Sequence, residues 1–219
     1  MSIIPNPPPL LDPSSSLSPS DILKSKSQFL SNISKKFPVT LGESLSWEQN
    51  TIYGEVLFET LNEILTKSRE KYSLHSGGVF YDLGSGIGKA VISAGLLHNF
   101  STCIGIEVLP CLHSLSETLK AKYLKHKGKY QWLNDSCDDI RFVLGDICVY
   151  DWTDATCFFA NATCFDKDMI NYLSVYPVKS GTIGITTTQR LLKTHWRLLE
   201  TSYKNMTWGK ATVFIHQKI

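Results

Sequence analysis

The segment of this sequence with the clearest chemical meaning is Asp82-Leu83-Gly84-Ser85-Gly86-Ile87-Gly88. Three alternate glycines remove the Cβ atoms that would hold a ligand off the backbone, and they tolerate unusual φ. Val79-Phe80-Tyr81 before the loop reads as a short buried strand. Ile87, Ala90, Val91, Ala94 and Leu97 after it form one face of a helix. The loop is therefore expected at the carboxyl edge of a sheet, beside a helix N-terminus, where ligands approach most closely. A dinucleotide fingerprint, G-x-G-x-x-G, would want Gly or Ala at position 89, which holds Lys89. An acid followed by G-x-G-x-G instead suits the amino-acid half of S-adenosylmethionine. That half has an ammonium for a carboxylate to meet and a carboxylate for backbone N–H groups to meet. The plain alternative is a glycine-rich turn with no ligand, a costly use of three glycines.

Other polar residues fall at predicted strand ends. Glu107 closes the second strand, where an acid can accept hydrogen bonds from both ribose hydroxyls; alone it would read as a solvated acid. Asp146 closes the third, where the adenine amino group would lie, and can equally be an Asp in a turn. Asn161 follows the fourth strand, the place where methyltransferases put residues beside the transferred methyl, with an ordinary Asn turn as the alternative. Phe165 can wall a substrate channel or pack in the core. Tyr53-Gly54-Glu55 precedes the first strand and, standing alone, reads as a capping turn.

These residues need elements to position them. Ser20 or Asp21 can cap a helix through Ile22, Phe29, Leu30 and Ile33, ended by Pro38. Tyr53-Gly54-Glu55 is expected to open a second helix, with Val56, Leu57, Leu61, Ile64 and Leu65 at helical spacing. Strands are predicted over residues 79–81, 103–106, 140–144, 157–160 and 182–185. A helix striped by Leu112, Leu115 and Leu119 starts near Pro110, and another runs near 167–173. Residues 195–203 and 208–216 read as two long strands joined by a turn. Alternating strands and helices imply an α/β fold, a mostly parallel Rossmann-like seven-stranded sheet with helices on both faces and a C-terminal antiparallel hairpin. The organisation expected is a Pro/Ser-rich flexible tail over 1–20, a helical lead-in over 21–52 and one catalytic domain over 53–219.

Composition narrows the class. The chain has 219 residues, 42% hydrophobic and 19% charged, as in a soluble globular domain with a real core. Its net charge of +2 shows no nucleic-acid stripe by itself. The densest basic stretch, Lys120, Lys122, Lys125, Lys127 and Lys129, reads as a solvated helix end or a docking face for an acidic partner. None of the six cysteines is spaced C-x-x-C, so no zinc or other metal site is expected. Free cysteines in apolar stretches suit a reducing compartment. No apolar run reaches the roughly 18 residues of a membrane span, and the N-terminus lacks the pattern of a signal peptide. No exposed heptad or apolar patch stands out, so a monomer is expected.

Four segments together resemble one family: Tyr53-Gly54-Glu55 with Phe58; Phe80 through Lys89; Gly105-Ile106-Glu107; and Phe158-Phe159-Ala160-Asn161 with Phe165. They look like the disruptor-of-telomeric-silencing histone lysine methyltransferases, the non-SET enzymes that modify a lysine in the nucleosome core. The resemblance covers roughly residues 47–184. It implies Tyr53 and Glu55 over the cofactor S-adenosylmethionine, Asp82, Gly84 and Gly86 at its methionine end, Glu107 at the ribose and Asp146 at the adenine. It implies Asn161 beside the methyl and Phe165 lining a narrow lysine channel. It also implies a histone or nucleosome as protein substrate and contact with DNA, which a pI near 8.1 keeps modest; the location expected is the nucleus or the cytoplasm, not the secretory route. Two features depart from the family. Asn161-Ala162-Thr163 stands where Asn-Asn-Phe is common, and no strongly basic extension is visible. A non-histone protein lysine, or a non-catalytic cofactor-binding role, are the competing readings. Lys89 and the closing hairpin speak against a nicotinamide oxidoreductase.

Overall fold

The computed structural model describes residues 18–35 and 54–219. The sheet has seven strands in the order β3-β2-β1-β4-β5-β7-β6. They are β1 (Val79–Leu83), β2 (Thr102–Glu107), β3 (Asp139–Leu144), β4 (Cys157–Ala160), β5 (Ile183–Thr187), β6 (Trp196–Met206) and β7 (Gly209–Lys218). The first five run parallel, and β7 pairs antiparallel with both β5 and β6. This is the expected architecture. The chain leaves β1 for β2 and β3 on one side and returns to β4 on the other, so a topological switch point lies at the carboxyl end of β1. There the register sets Asp82 beside Gly105 on β2 and Phe159 on β4.

Among the described residues five helices cover the sheet: α1 (Pro19–Ser34), α2 (Phe58–Lys71), α3 (Lys89–Leu97), α4 (Pro110–His126) and α5 (Lys167–Val175). One apolar cluster lies between one sheet face and helices α1 to α4 and is centred on Leu61, Ile64, Val91, Phe80 and Leu119. The other face packs Trp152, Phe158, Leu173 and Trp196. A sheet sealed on both sides accounts for the continuous burial of β1, β4 and β5, every one of whose interior residues is buried.

Several local readings change. The cap of α1 is Ser18, whose Oγ accepts from the Asp21 N–H at 3.2 Å, rather than Ser20 or Asp21. Pro19 then takes the first helical position, where its missing N–H costs nothing. On α4 the buried stripe is Leu112, Ser116, Leu119 and Tyr123, so Ser116 and not Leu115 faces the core. Residues 54–57 do not open α2, which starts at Phe58. Instead Val56 bridges Met206 antiparallel, and the Thr207 N–H donates to the Glu55 carbonyl at 3.0 Å. The β6–β7 hairpin is longer than predicted and turns at residues 207–208.

The basic stretch at the end of α4 is held internally in part, while Lys125 and Lys129 are exposed. Lys122 donates to the Ile33 carbonyl at 3.0 Å, capping α1, and Lys127 donates to the Ser136 carbonyl at 2.7 Å. Lys120 pairs with Glu117. A different charge asymmetry emerges at the other end of the chain. From Met169 onward there are seven Lys or Arg residues and one acid, Glu200, which is itself held by Lys67 at 2.6 Å and Tyr72 at 3.0 Å.

Candidate active site

A cavity of about 240 Å³ opens at the switch point. Its wall includes Glu55, Asp82, Gly84, Gly86, Glu107, Asn161 and Phe165, so seven of the nine predicted site residues converge, with Gly54 beside them. Tyr53 falls outside the described residues. Asp146 is exposed and outside the cavity wall; its Oδ1 accepts from the Cys148 N–H at 2.8 Å. The Gly145 N–H, one residue earlier, donates to the Glu107 carbonyl at 3.0 Å, which keeps the segment after β3 at the same sheet edge.

The loop after β1 is shaped by its glycines. Gly84, Gly86 and Gly88 all take positive φ, at 85°, 54° and 84°. At Gly84 an added Cβ would meet only the Phe165 ring, at 3.8 Å, so backbone there faces open space that a ligand can fill. Gly88 serves packing instead. Its Cβ would fall 2.3 Å from the Phe142 ring, and its left-handed backbone opens α3 without a side-chain cap. Gly88→Ala is expected to destabilise the fold by about 2–5 kcal/mol, combining left-handed strain with overpacking. Chemical denaturation checks this; a loss under ~1 kcal/mol would show that Phe142 yields freely.

Two acids face the cavity from strand ends. Asp82 is 3% exposed, and burial, with the charge of Glu107 nearby, pushes its carboxyl well above the usual carboxylate range. Glu107 accepts from the Gly86 N–H at 2.8 Å and from the Leu109 N–H at 2.9 Å, one bond on each oxygen. Each oxygen keeps a further lone-pair direction, since a carboxylate offers about four. These bonds also brace the loop against β2, where Gly105 makes room for Ser85: a Cβ at Gly105 would lie 2.6 Å from the Ser85 hydroxyl.

Glu55 reaches the same wall and pairs with Lys89 at 2.5 Å. This explains the lysine that breaks the dinucleotide fingerprint. A cation at the first turn of a helix opposes the helix dipole, and Glu55 compensates it while tying residues 54–57 to α3. The opposite side of that segment is held by the hairpin turn. The Glu55 N–H donates to Thr207 Oγ1 at 2.9 Å, and Gly54 lies so close to Trp208 that a Cβ would fall 2.3 Å from its ring. Thr207 and Trp208 were invisible as site residues because they lie some 150 positions away in the chain; the Gly in Tyr-Gly-Glu was the one local hint.

Asn161, just after β4, donates its Nδ2 to the Gly54 carbonyl at 3.0 Å across the wall and accepts from Thr163 and Thr187. Gln189 donates to the carbonyls of Ala162, at 3.0 Å, and Phe165, fixing the single 3-10 turn that carries Phe165 into the cavity. The acidic lining is thus Glu55 and Glu107 against Lys89, with Asp82 adding a further negative charge when it ionises. That balance, with the open space over Gly84, suits a cationic ligand. It disfavours a pyrophosphate.

The donor set fits S-adenosylmethionine. Asp82 can take its ammonium, the Gly84–Gly86 loop leaves space for its methionine end, and the free lone pairs of Glu107 can take its ribose hydroxyls. The same fold is found in solved structures. One is an RNA methyltransferase from Salinibacter ruber in complex with S-adenosyl-L-homocysteine, 20% identical, covering 73% of this chain and 90% of that one with a TM-score of 0.52. Another is an rRNA methyltransferase from Streptomyces viridochromogenes, 11% identical, covering 75% and 86%, with a TM-score of 0.54. Among curated proteins, a histone-lysine N-methyltransferase, H3 lysine-79 specific, from Kluyveromyces lactis is 35% identical over 78 residues. Those residues are 36% of this chain and 13% of that much longer relative. The profile of the family described as histone methylation protein DOT1 matches residues 43–211, a span that contains the glycine loop, both strand-end acids, Asn161 and the hairpin turn, and the chain belongs to that family.

Proposed function

We propose that this chain is an S-adenosylmethionine-dependent protein-lysine N-methyltransferase acting on a core histone in the nucleosome. The observation that carries the reading is the anionic cavity over the glycine loop, with Asp82 and Glu107 at adjoining strand ends. Family membership and the histone-lysine activity named for the Kluyveromyces lactis relative supply the substrate class.

When bound, the cofactor supplies a methyl group already activated on a sulfonium leaving group, so no strong catalytic base is assigned. The work of the chain is to orient and to exclude water. Asp82, Gly84 and Gly86 hold the methionine end, with Glu55 above it. Glu107 holds the ribose, and Asp146, kept near β2 by its neighbour Gly145, meets the adenine edge. Asn161 fixes the wall beside the methyl, and Tyr53, next to Gly54, is its partner in positioning. Phe165 and Phe159 present apolar surface to the incoming lysine. Free lysine has a pKa of about 10.4; an apolar channel disfavours its ammonium and lets a proton leave to water. The amine and methyl are then held in near-attack geometry.

The cationic stretch from Met169 onward gives the nucleosome reading a physical basis that net charge alone conceals. Arg190, exposed and stacked 5.0 Å over Phe214, directly follows Gln189, which holds the cavity turn. Phosphates of nucleosomal DNA would be met on this side. The proposed working unit is a monomer in the nucleus.

Labelled-methyl transfer to reconstituted nucleosomes, free core histones and whole-cell lysate tests the proposal. Label on a histone lysine in nucleosomes is expected. Label confined to other lysate proteins would replace the substrate and keep the chemistry, and Thr163 in place of the family's aromatic residue is the feature that would explain it.

A pH effect follows from Asp82. Its folded pKa is raised, so the folded chain holds this proton at pH values where the unfolded chain has lost it. Its contribution to stability is present below the unfolded pKa and is lost as pH rises through the folded pKa. Cofactor affinity runs the opposite way, because the ammonium needs the ionised carboxylate, so affinity falls as pH drops through that same raised value. Calorimetric titrations across pH check the sign; affinity rising toward acid would contradict it.

A further inference from the structure

The orientation of the Asn161 amide can be deduced from its neighbours. The Gly54 carbonyl can only accept, so the amide atom 3.0 Å from it is Nδ2. Oδ1 therefore faces Thr163 Oγ1 at 3.0 Å and Thr187 Oγ1 at 2.6 Å. An amide oxygen donates nothing, so both hydroxyls must donate to it. Thr163, its proton spent, can then accept from Thr188 Oγ1 at 3.1 Å. The hydroxyls form a directed chain ending on one carbonyl oxygen, whose two lone pairs are both used.

Burial gives this chain its force. Thr187, the last residue of β5, is 0% exposed, so no water can replace its hydroxyl. Thr188 adds a second sign of constraint. It holds φ 64°, a left-handed conformation rare for a β-branched residue, and is kept there by its N–H donating to the Thr212 carbonyl at 2.8 Å. None of these threonines belongs to the cofactor cradle.

We infer that Thr187, assisted by Thr163, is a positioning residue for Asn161: its hydroxyl fixes the amide with oxygen toward β5 and nitrogen toward Gly54. The wall after β4 and the segment 54–57 are thereby latched together on the two sides of the cavity. The geometry stands by itself; its consequence for turnover rests on the methyl-transfer reading above. Thr163 also acquires a purpose, since the hydroxyl in place of the family's aromatic ring is what completes the amide's second acceptor bond.

The test uses Thr187→Val, which keeps shape and loses the donor, and Thr187→Ser, which restores the donor. The Asn161 side-chain amide signal is located in the nitrogen–proton NMR spectrum by its disappearance in Asn161→Ala. It is expected to shift or broaden in Thr187→Val and to return in Thr187→Ser, with both variants melting as cooperatively as the parent. In the transfer assay, Thr187→Val is expected to lose about tenfold in kcat. Cofactor affinity and substrate KM should stay within about twofold, with Thr187→Ser near the parent value. An unchanged amide signal in Thr187→Val, or a loss that serine does not rescue, would overturn the inference. Absence of transfer by the parent protein would overturn the functional reading instead, and the NMR comparison would still decide the role of Thr187.

Discussion

Gly86→Arg is expected to reduce S-adenosylmethionine binding below detection in a folded protein, and Asp82→Ala to weaken it by at least tenfold to a hundredfold. The first effect is steric. Gly86 lines the cavity at φ 54°, and its N–H is held by Glu107 at 2.8 Å. Any side chain there enters the space that backbone must share with a ligand, and a guanidinium adds a charge that repels a cationic one. The second effect is electrostatic. A charge-assisted hydrogen bond contributes about 1.5–3 kcal/mol, and each 1.4 kcal/mol is about tenfold in affinity. Because Asp82 is buried, the cofactor ammonium would otherwise lose its water without a partner. The two substitutions differ in their side effects, which helps interpretation. Removing a buried carboxylate held above its usual pKa relieves a cost of folding, so Asp82→Ala should melt no lower than the parent. Calorimetry on both variants, with melting curves beside it, checks the pair. Unchanged affinity in either folded variant would remove the cavity from the account.

The second large effect concerns Asn161→Ala. Turnover is expected to fall about a hundredfold, because misplacement of reacting groups by about 1 Å carries a penalty of that size. Cofactor affinity should change far less. The asymmetry comes from where Asn161 stands: it bonds the Gly54 carbonyl, Thr163 and Thr187, and so acts on the wall rather than on the methionine or ribose ends. Steady-state kinetics combined with cofactor calorimetry separate the two quantities. Equal losses in kcat and affinity would mean that Asn161 belongs to the cofactor cradle.

What could be read from the sequence was what local backbone chemistry enforces. Alternate glycines between an apolar strand and an apolar helix are costly unless backbone must come close to something, and the acid at each strand end follows from strand length alone. The C-terminal hairpin was legible for the same reason: Ala211, Val213 and Ile215 alternate with Thr212, Phe214 and His216, although Phe214 and His216 are themselves buried on the opposite face. Contacts between distant segments were not legible. Glu55 was expected to help open a helix, because its apolar followers have helical spacing. The observed segment is extended, since Val56 and Glu55 find backbone partners in Met206 and Thr207. Tertiary pairing overrode a weak local preference. Lys89 was informative only as a break in a dinucleotide pattern; its pairing with Glu55 required the fold. Ser116 displaced Leu115 from the core because its Oγ is satisfied internally, donating to the His113 carbonyl at 2.7 Å. Thr187 carried no signal at all, being one threonine among three at a strand end.

The most direct test of the central claim is a crystal structure of this chain grown with S-adenosylhomocysteine. The account predicts the product in the cavity at the carboxyl end of β1, with its ammonium at Asp82, its methionine end over the Gly84–Gly86 loop and its ribose hydroxyls on Glu107. Product bound elsewhere, or reversed so that adenine meets Asp82, would contradict it.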